Sequence, residues 1–269
     1  MRLPLVSILI ANFNNEDLLE RSINSCKKQT YSNREIIVFD DLSEDGSREK
    51  LKRIKNIKVI YNKRKTGIPY VDAMNAYLKM FKKSKGKFIF LLDSDDFYRK
   101  NKLQIVVNHF KNKNIKFIQD IPLIKTKNAF FQKKENFFLS RFPYFSPLSS
   151  LSVERDFFKN FLKLNKTISK NKFINVWIDF RLCAFAYFRE KNFFFLKENL
   201  TVYDQSLSGN QSKKYTFLSS GWIKRRYYSH LYVNYLLNKK FFFNLDFFIS
   251  KLINRFFTIN DIKYFKFFC

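Results

Sequence analysis

The sequence predicts an α/β fold in which a parallel, right-handed, doubly wound sheet is covered by helices. Three observations predict it. Short β-rich apolar runs alternate with helical spacings over about the first 95 residues, the pattern of consecutive strand–helix units. One run, Phe88-Ile89-Phe90-Leu91-Leu92, is unbroken, as a strand buried on both faces should be. Two acidic loops, Asp40/Asp41 and Asp93/Asp95/Asp96, each follow such a run. Both are therefore expected at one edge of the sheet, where ligands of open α/β sheets sit.

Each element has a local reason. Val6 to Ile10 is a strand ended by Asn12, Asn14 and Asn15, which suit a turn and a helix cap. Leu18, Leu19, Ser22, Ile23 and Cys26 recur at helical spacing, so Glu16 to about Lys28 is a helix. Glu35 to Phe39 is a second strand, and Leu51 and Ile54 mark a short helix after its loop. Ile57 to Tyr61 is a third strand. Pro69 opens a helix at a position where its missing donor costs nothing, with Met74, Tyr77, Leu78 and Phe81 as its buried face. After the acidic strand, Leu103 to Phe110 reads as helix, Ile115 to Ile124 as extended chain and Phe130 to Pro147 as a long loop over a cleft. Val153 to Leu164 and Val176 to Tyr187 read as helices, and Thr201 to Tyr203 as a last strand.

The length, 269 residues, suits one large domain or two small ones. The charge is extreme: 51 Lys and Arg against 23 Asp and Glu leave +28, which favours a polyanionic neighbour. Lys, Asn, Phe, Ile and Tyr dominate, as AT-rich coding would produce, so part of the excess follows from composition. Cys26, Cys183 and Cys269 are far apart with no zinc spacing, which fits free thiols in a reducing compartment. No apolar run reaches the ~18 residues a membrane span needs, and Leu5 to Ile10 is short for a signal peptide. A cytoplasmic protein is expected.

Carboxylates crowded at a strand end repel unless a cation or strong donors neutralise them. A hard divalent ion meets that need, because Mg²⁺ joins one or two carboxylates to a substrate phosphate. An acidic turn capping the next helix is the alternative.

The N-terminal half resembles the family 2 glycosyltransferases of GT-A fold, a Rossmann-like, mostly parallel sheet flanked by helices. Four segments carry the resemblance over about residues 4 to 110. They are Val6 to Asn14 (VSILIANFN), Ile37 to Ser47 (IVFDDLSEDGS), Asn62 to Asn75 with Gly67, and Phe90 to Asp96 (FLLDSDD), which is similar to a DxD-type metal motif. The resemblance implies transfer of a sugar from a nucleotide-diphosphate sugar to a glycan or lipid-linked hydroxyl, in cell-surface polysaccharide synthesis. It implies that Ala11 and Phe13 lie against the nucleobase and that Asp41 accepts a hydrogen bond from it. Asp95 would face ribose and phosphate, Asp95 and Asp96 would hold Mg²⁺ or Mn²⁺, and Asp93 would support them. A later "ED"-type motif supplies the base; Trp177-Ile178-Asp179-Phe180-Arg181-Leu182 matches it, with Asp179 as the residue that takes the acceptor proton. Set among apolar residues, Asp179 is expected to be buried, with its pKa raised toward a useful range. One base and direct displacement imply inversion. Three positions depart from the pattern: Met74 stands where Arg is usual, with Arg64 as a substitute, Ile178 stands for Glu, and Leu42 stands for Gly.

The expected organisation is a domain over 1–215 (nucleotide-sugar half 1–110, acceptor half 111–215) and a basic-aromatic helical extension over 216–269. In the extension Arg225 or Arg226 is a candidate clamp for the donor diphosphate. Its Lys, Arg and Phe residues also suit an anionic membrane surface, at the inner face. Two other readings stay open here: a nucleic-acid-binding protein, drawn from +28 and interleaved aromatics, and a GT-A subunit that binds without catalysing. The carboxylates at the strand ends speak against both, and no nucleic-acid partner is expected. His109 and His230 stand alone and read as structural.

Overall fold

The computed structural model describes residues 3–112, 114–132, 142–169, 172–173, 176–206, 219–238 and 244–255. The expected elements form in order: β1 (Val6–Asn12), α1 (Glu16–Lys27), β2 (Arg34–Asp40), α2 (Ser47–Arg53), β3 (Lys58–Tyr61), α3 (Pro69–Lys83) and β4 (Phe88–Asp93). A short β5 (Phe97–Tyr98), α4 (Lys102–Asn112), β6 (Phe117–Asp120), β7 (Leu123–Lys125) and β8 (Phe130–Gln132) follow. Next come a 3-10 turn (Leu148–Ser150), β9 (Leu151–Glu154), α5 (Arg155–Lys166), α6 (Ile178–Ala184) and a π-helical turn (Phe185–Arg189). The chain then forms β10 (Phe194–Leu196), β11 (Thr201–Asp204), α7 (Ser220–Leu236) and a last helix, α8, over 245–255.

The main sheet runs β10-β6-β9-β4-β1-β2-β3. It is mostly parallel: β9 alone among its strands is antiparallel, lying between β4 and β6. The expected doubly wound sheet is thus present, but mixed. The sequence pattern places Val153 and Glu154, the end of β9, in a helix, because Val153 continues the apolar spacing of Phe157, Phe158 and Phe161. Pairing between two strands, which no local signal reports, overrides that spacing. A second sheet, β5-β11-β7-β8, abuts the acidic turn.

Strand alternation divides the core. Leu9, Ile37, Phe39, Ile89 and Leu91 face the layer that includes Ala76, Tyr77 and Met80 of α3 and the Phe-rich face of α5. Ile8, Ile10, Ile36, Val38, Phe88, Phe90 and Leu92 face α1 and α4. This is the period of two that a sheet covered on both sides imposes. In α3 the buried set is Tyr70, Ala76, Tyr77 and Met80, while the expected Met74, Leu78 and Phe81 are half-buried at its margin. The helix α7 adds Tyr232, Val233 and Leu236 to the first layer. Among the described residues no helix is long and apolar enough to cross a membrane. Phe241 to Phe243 and Cys269 lie outside the described residues, as does part of the expected loop, 133–141.

Gly86 is required for a close approach. A Cβ there would lie 2.4 Å from the Ser7 backbone nitrogen and 2.8 Å from the Val6 carbonyl carbon. The Gly86 N–H also donates to Ser7 Oγ at 2.8 Å. Gly86→Ala should therefore destabilise the fold by about 1–3 kcal/mol, the usual cost of overpacking, seen as a lower urea midpoint; an unchanged midpoint would contradict this packing.

Candidate active site

Register brings the acidic loops together. Ala11 pairs with Asp93 and Asn12 with Asp40, so β1, β2 and β4 end side by side. The Ser94 N–H donates to the Ala11 carbonyl at 3.0 Å, and Asn15 Nδ2 donates to Ser94 Oγ at 2.9 Å. Both acidic loops thus lie at one edge of the sheet, as expected.

The β2 side offers a surface for a flat ring. Phe13 is 48% exposed at the rim, and Lys65 Nζ lies 3.2 Å from its ring centroid. Asp41 accepts a hydrogen bond from Asn62 Nδ2 at 2.6 Å and lies 4.0 Å from Lys65 Nζ. Lys65, which the sequence does not single out, meets two of the three expected base contacts, Phe13 and Asp41. Leu42 has φ +57°, a left-handed conformation that explains why Gly is the easier residue there. Asp40 is buried behind the rim, accepting from Asn12 Nδ2 at 3.1 Å.

Alternation at the end of β4 separates the three carboxylates. Asp93 and Asp95 are half-buried, whereas Asp96 has no exposed surface. Ser149 Oγ donates to Asp96 Oδ2 at 2.5 Å, and the Asp204 N–H donates to Oδ1 at 2.9 Å. Each oxygen of Asp96, the residue expected on the metal, thus accepts one hydrogen bond from the protein. Ser149 Oγ also accepts from the Asp93 N–H at 3.0 Å, so one hydroxyl joins two of the carboxylate positions.

A salt-bridged cluster backs this turn. Arg21 donates through Nη1 to Asp204 Oδ2 at 2.6 Å and through Nη2 to the Asp95 carbonyl at 2.7 Å. Lys125 Nζ adds a bond to Asp204 at 3.0 Å. Burial opposes the charge on Asp204, but hydrogen bonds from Ser206, Lys125 and Arg21 hold its pKa down to about 2. In contrast, burial and then the charges of Asp95 and Asp179 push Asp93 up to about 8. Burial likewise raises Asp95 and Asp96. Among the described residues no group of three or more His, Cys, Asp or Glu could by itself enclose a metal ion. Two half-buried, mutually repelling carboxylates, Asp93 and Asp95, have the chemistry to bind a Mg²⁺ or Mn²⁺ that takes its other ligands from phosphate and water.

Asp179 stands in the first turn of α6, and its Oδ1 accepts the Phe180 N–H at 2.7 Å. It is not sealed among apolar groups as expected: its side chain is 27% exposed, and Arg225 Nη2 lies 3.6 Å from Oδ2. Ile178 and Leu182 take the buried positions, leaving Asp179 on the open side. Arg181, two residues on, is buried and fixes this helix end. It donates to the carbonyls of Val176 and Phe173 at 2.7 and 3.1 Å and to Asn165 at 3.2 Å.

The two expected clamp residues point to different partners. Arg225 faces Asp179, whereas Arg226 grips Asp246 of α8 through Nε and Nη2 at 2.5 and 2.6 Å. Arg226 is only 15% exposed there and stacks near Trp222. It is therefore a packing residue in this structure rather than a clamp. His230 is buried beside the same Asp246, at 3.1 Å, as its structural reading expects.

A mixed α/β sheet with acids at the ends of β2 and β4 and another on a later helix is an architecture of GT-A type. The model of glycosyl transferase family 2 matches residues 7–193, and the chain belongs to that family. It is 38% identical over 116 residues to the Escherichia coli UDP-Glc:alpha-D-GlcNAc-diphosphoundecaprenol beta-1,3-glucosyltransferase WfgD, covering 42% of this chain and 44% of that protein. The match thus spans under half of that relative's length. An uncharacterised Rickettsia typhi glycosyltransferase, RT0329, is 28% identical over 239 residues, covering 82% of this chain and 72% of its own length. Among solved structures, Staphylococcus aureus TarS 1-349 in complex with UDP has a TM-score of 0.62 at 16% identity, over 93% of this chain and 69% of that one. The mannosyltransferase PcManGT from Pyrobaculum calidifontis, in complex with GDP-Man and Mn2+, has a TM-score of 0.58 at 11% identity, over 88% and 65% of the two chains. These likenesses carry the fold.

Because Asp93 has a raised pKa in the folded state and an ordinary one unfolded, the folded protein binds more protons between those values. Stability of the metal-free protein should therefore rise as pH falls from about 8.5 toward 6, and Asp93→Asn should flatten that slope in melting curves. A slope unchanged in the variant would contradict the raised pKa that burial, with the neighbouring charges, gives Asp93.

Proposed function

We propose that this chain is an inverting, divalent-metal-dependent glycosyltransferase. It moves a sugar from a nucleotide-diphosphate sugar to a hydroxyl of a glycan or lipid-linked acceptor in cell-surface polysaccharide synthesis. The observation that carries the proposal is the convergence of Asp93, Asp95 and Asp179, close enough that the charge of Asp179 acts on Asp93. The E. coli relative is named for UDP-Glc and a diphosphoundecaprenol-linked acceptor, and a Bacillus subtilis relative for teichuronic acid biosynthesis. A UDP-sugar is the donor to test first.

In this reading the base stacks on Phe13 beside Ala11, with Asp41 accepting from its ring N–H and Lys65 closing the rim. Asp95, with Asp93, would hold the Mg²⁺ or Mn²⁺, which stabilises the negative charge developing on the leaving diphosphate. Asp96 serves from behind: bound to Ser149 and to the Asp204 N–H, it sets the turn that aims its two neighbours. Asp179 takes the acceptor proton as the new C–O bond forms and the anomeric bond to the diphosphate oxygen breaks. Attack from the face opposite the leaving group inverts the anomeric carbon. Arg225 orients Asp179 through their ion pair.

Ligand binding to the native state raises the melting temperature by mass action. UDP-sugars with Mn²⁺ should raise it in wild type, and Asp95→Asn should abolish the metal-dependent part. Asp179→Asn should keep the shift yet lose about 10²–10⁴-fold in kcat, the usual contribution of a general base. Full activity in Asp179→Asn would overturn its role. No shift with any nucleotide sugar, alongside stabilisation by single-stranded RNA, would favour the nucleic-acid reading.

A further inference from the structure

The helix 245–255 turns its apolar stripe the wrong way for a core helix. Its inner side carries Asp246, Phe247 and Ser250, all nearly or fully buried. Asp246 is held by Arg226 and His230, and those bonds outweigh burial to keep its pKa well below the carboxylate range. Phe247 lies parallel to Tyr227, with centroids 5.9 Å apart and 5° between planes. The helix is thus anchored by an ion pair and stacked rings. Its outer side carries Leu245, Phe248, Ile249 and Leu252, exposed by 55, 48, 42 and 45%. That spacing makes one continuous stripe, which in a globular protein ordinarily faces the core. On a helical wheel Lys251 and Arg255, both exposed, border one flank of it.

We propose that this face of the helix docks in the plane of an anionic lipid bilayer. The four apolar side chains enter the boundary between headgroups and acyl chains, and Lys251 and Arg255 sit among lipid phosphates. Charge complementarity selects that occupant. From Trp222 to Cys269 the sequence has nine Lys and Arg against two Asp, and one of those, Asp246, is already paired with Arg226. A second copy would bring the like charges of Lys251 and Arg255 together, whereas an anionic headgroup layer attracts them. Arg225 and Arg226 are adjacent on α7, one facing Asp179 and the other Asp246. Docking therefore holds the candidate base beside the bilayer where a lipid-linked acceptor would reside. That last consequence rests on the transferase reading; the docking does not.

Co-sedimentation of the full chain with phosphatidylcholine vesicles, with and without phosphatidylglycerol, tests it. Binding should be about tenfold greater with the anionic lipid. The charge-preserving variant Leu245→Ser/Phe248→Ser/Ile249→Ser/Leu252→Ser should lose roughly fivefold or more of that binding, with an unchanged melting temperature. No binding by wild type at low salt, or equal binding by the variant, would overturn the proposal, the latter reducing it to net charge. If the variant melts early, Phe248→Trp decides instead: quenching of its added fluorescence by brominated lipid supports insertion, and no quenching overturns it. A dimer in wild type that becomes monomeric in the quadruple variant, without vesicle binding, would assign the stripe to a second copy.

Discussion

The acidic turn depends on one buried ionic junction. Lys102, without exposed surface, donates to Asp120 Oδ1 at 2.7 Å, to Thr201 Oγ1 at 2.6 Å and to the Ser149 carbonyl at 2.9 Å. Burial lowers the pKa of Lys102 and raises that of Asp120, and each offsets the other's penalty. Removing one partner of such a pair costs about 3–5 kcal/mol, because the other is left charged and buried. The junction ties α4, β6, the 3-10 turn and β11 to one point. Ser149 carries the constraint onward: its carbonyl accepts from Lys102, and its hydroxyl bonds Asp96 and the Asp93 N–H. The fold thereby fixes which carboxylates face the cleft.

Charge is organised in two layers around that turn. Behind it, Arg21 and Lys125 more than neutralise Asp204, and Arg21 also holds the Asp95 carbonyl. In front, Asp93 and Asp95 repel each other, and the charge of Asp179 adds to the repulsion on Asp93. The rear layer ties the backbone of Asp95 in place through Arg21. Such crowding is relieved by a proton, as the raised pKa of Asp93 reflects, or in the proposed reading by a bound cation.

Much of this was legible in the sequence. The unbroken run before Asp93 and the short β-rich apolar runs of β1 and β2 foretold buried strands, and strands followed by acids foretold the shared edge. What stayed hidden depends on long-range pairing. The strand β9 is too short to outweigh the helical spacing that continues from Val153, and β10 (Phe194–Leu196) gains its identity only from β6. Ser149 and Lys102 look ordinary in sequence, because their roles arise where four elements meet. Asp93, Asp95 and Asp96 were read as one cluster, yet alternation at the strand end sends Asp96 inward. Arg225 and Arg226 differ for the same kind of reason: neighbours on a helix point about 100° apart, so one meets Asp179 and the other Asp246.

The central claim is that Asp95 and Asp93 present the metal-diphosphate site while Asp96 holds the turn from behind. Crystals grown with UDP and Mn²⁺, measured for anomalous scattering, test it most directly. A manganese peak within coordination distance of Asp95, bridging to the diphosphate, with Asp96 still bonded to Ser149, is the predicted result. A peak on Asp96 with the Ser149 bond broken, or UDP bound away from Phe13 and Asp41, would contradict it.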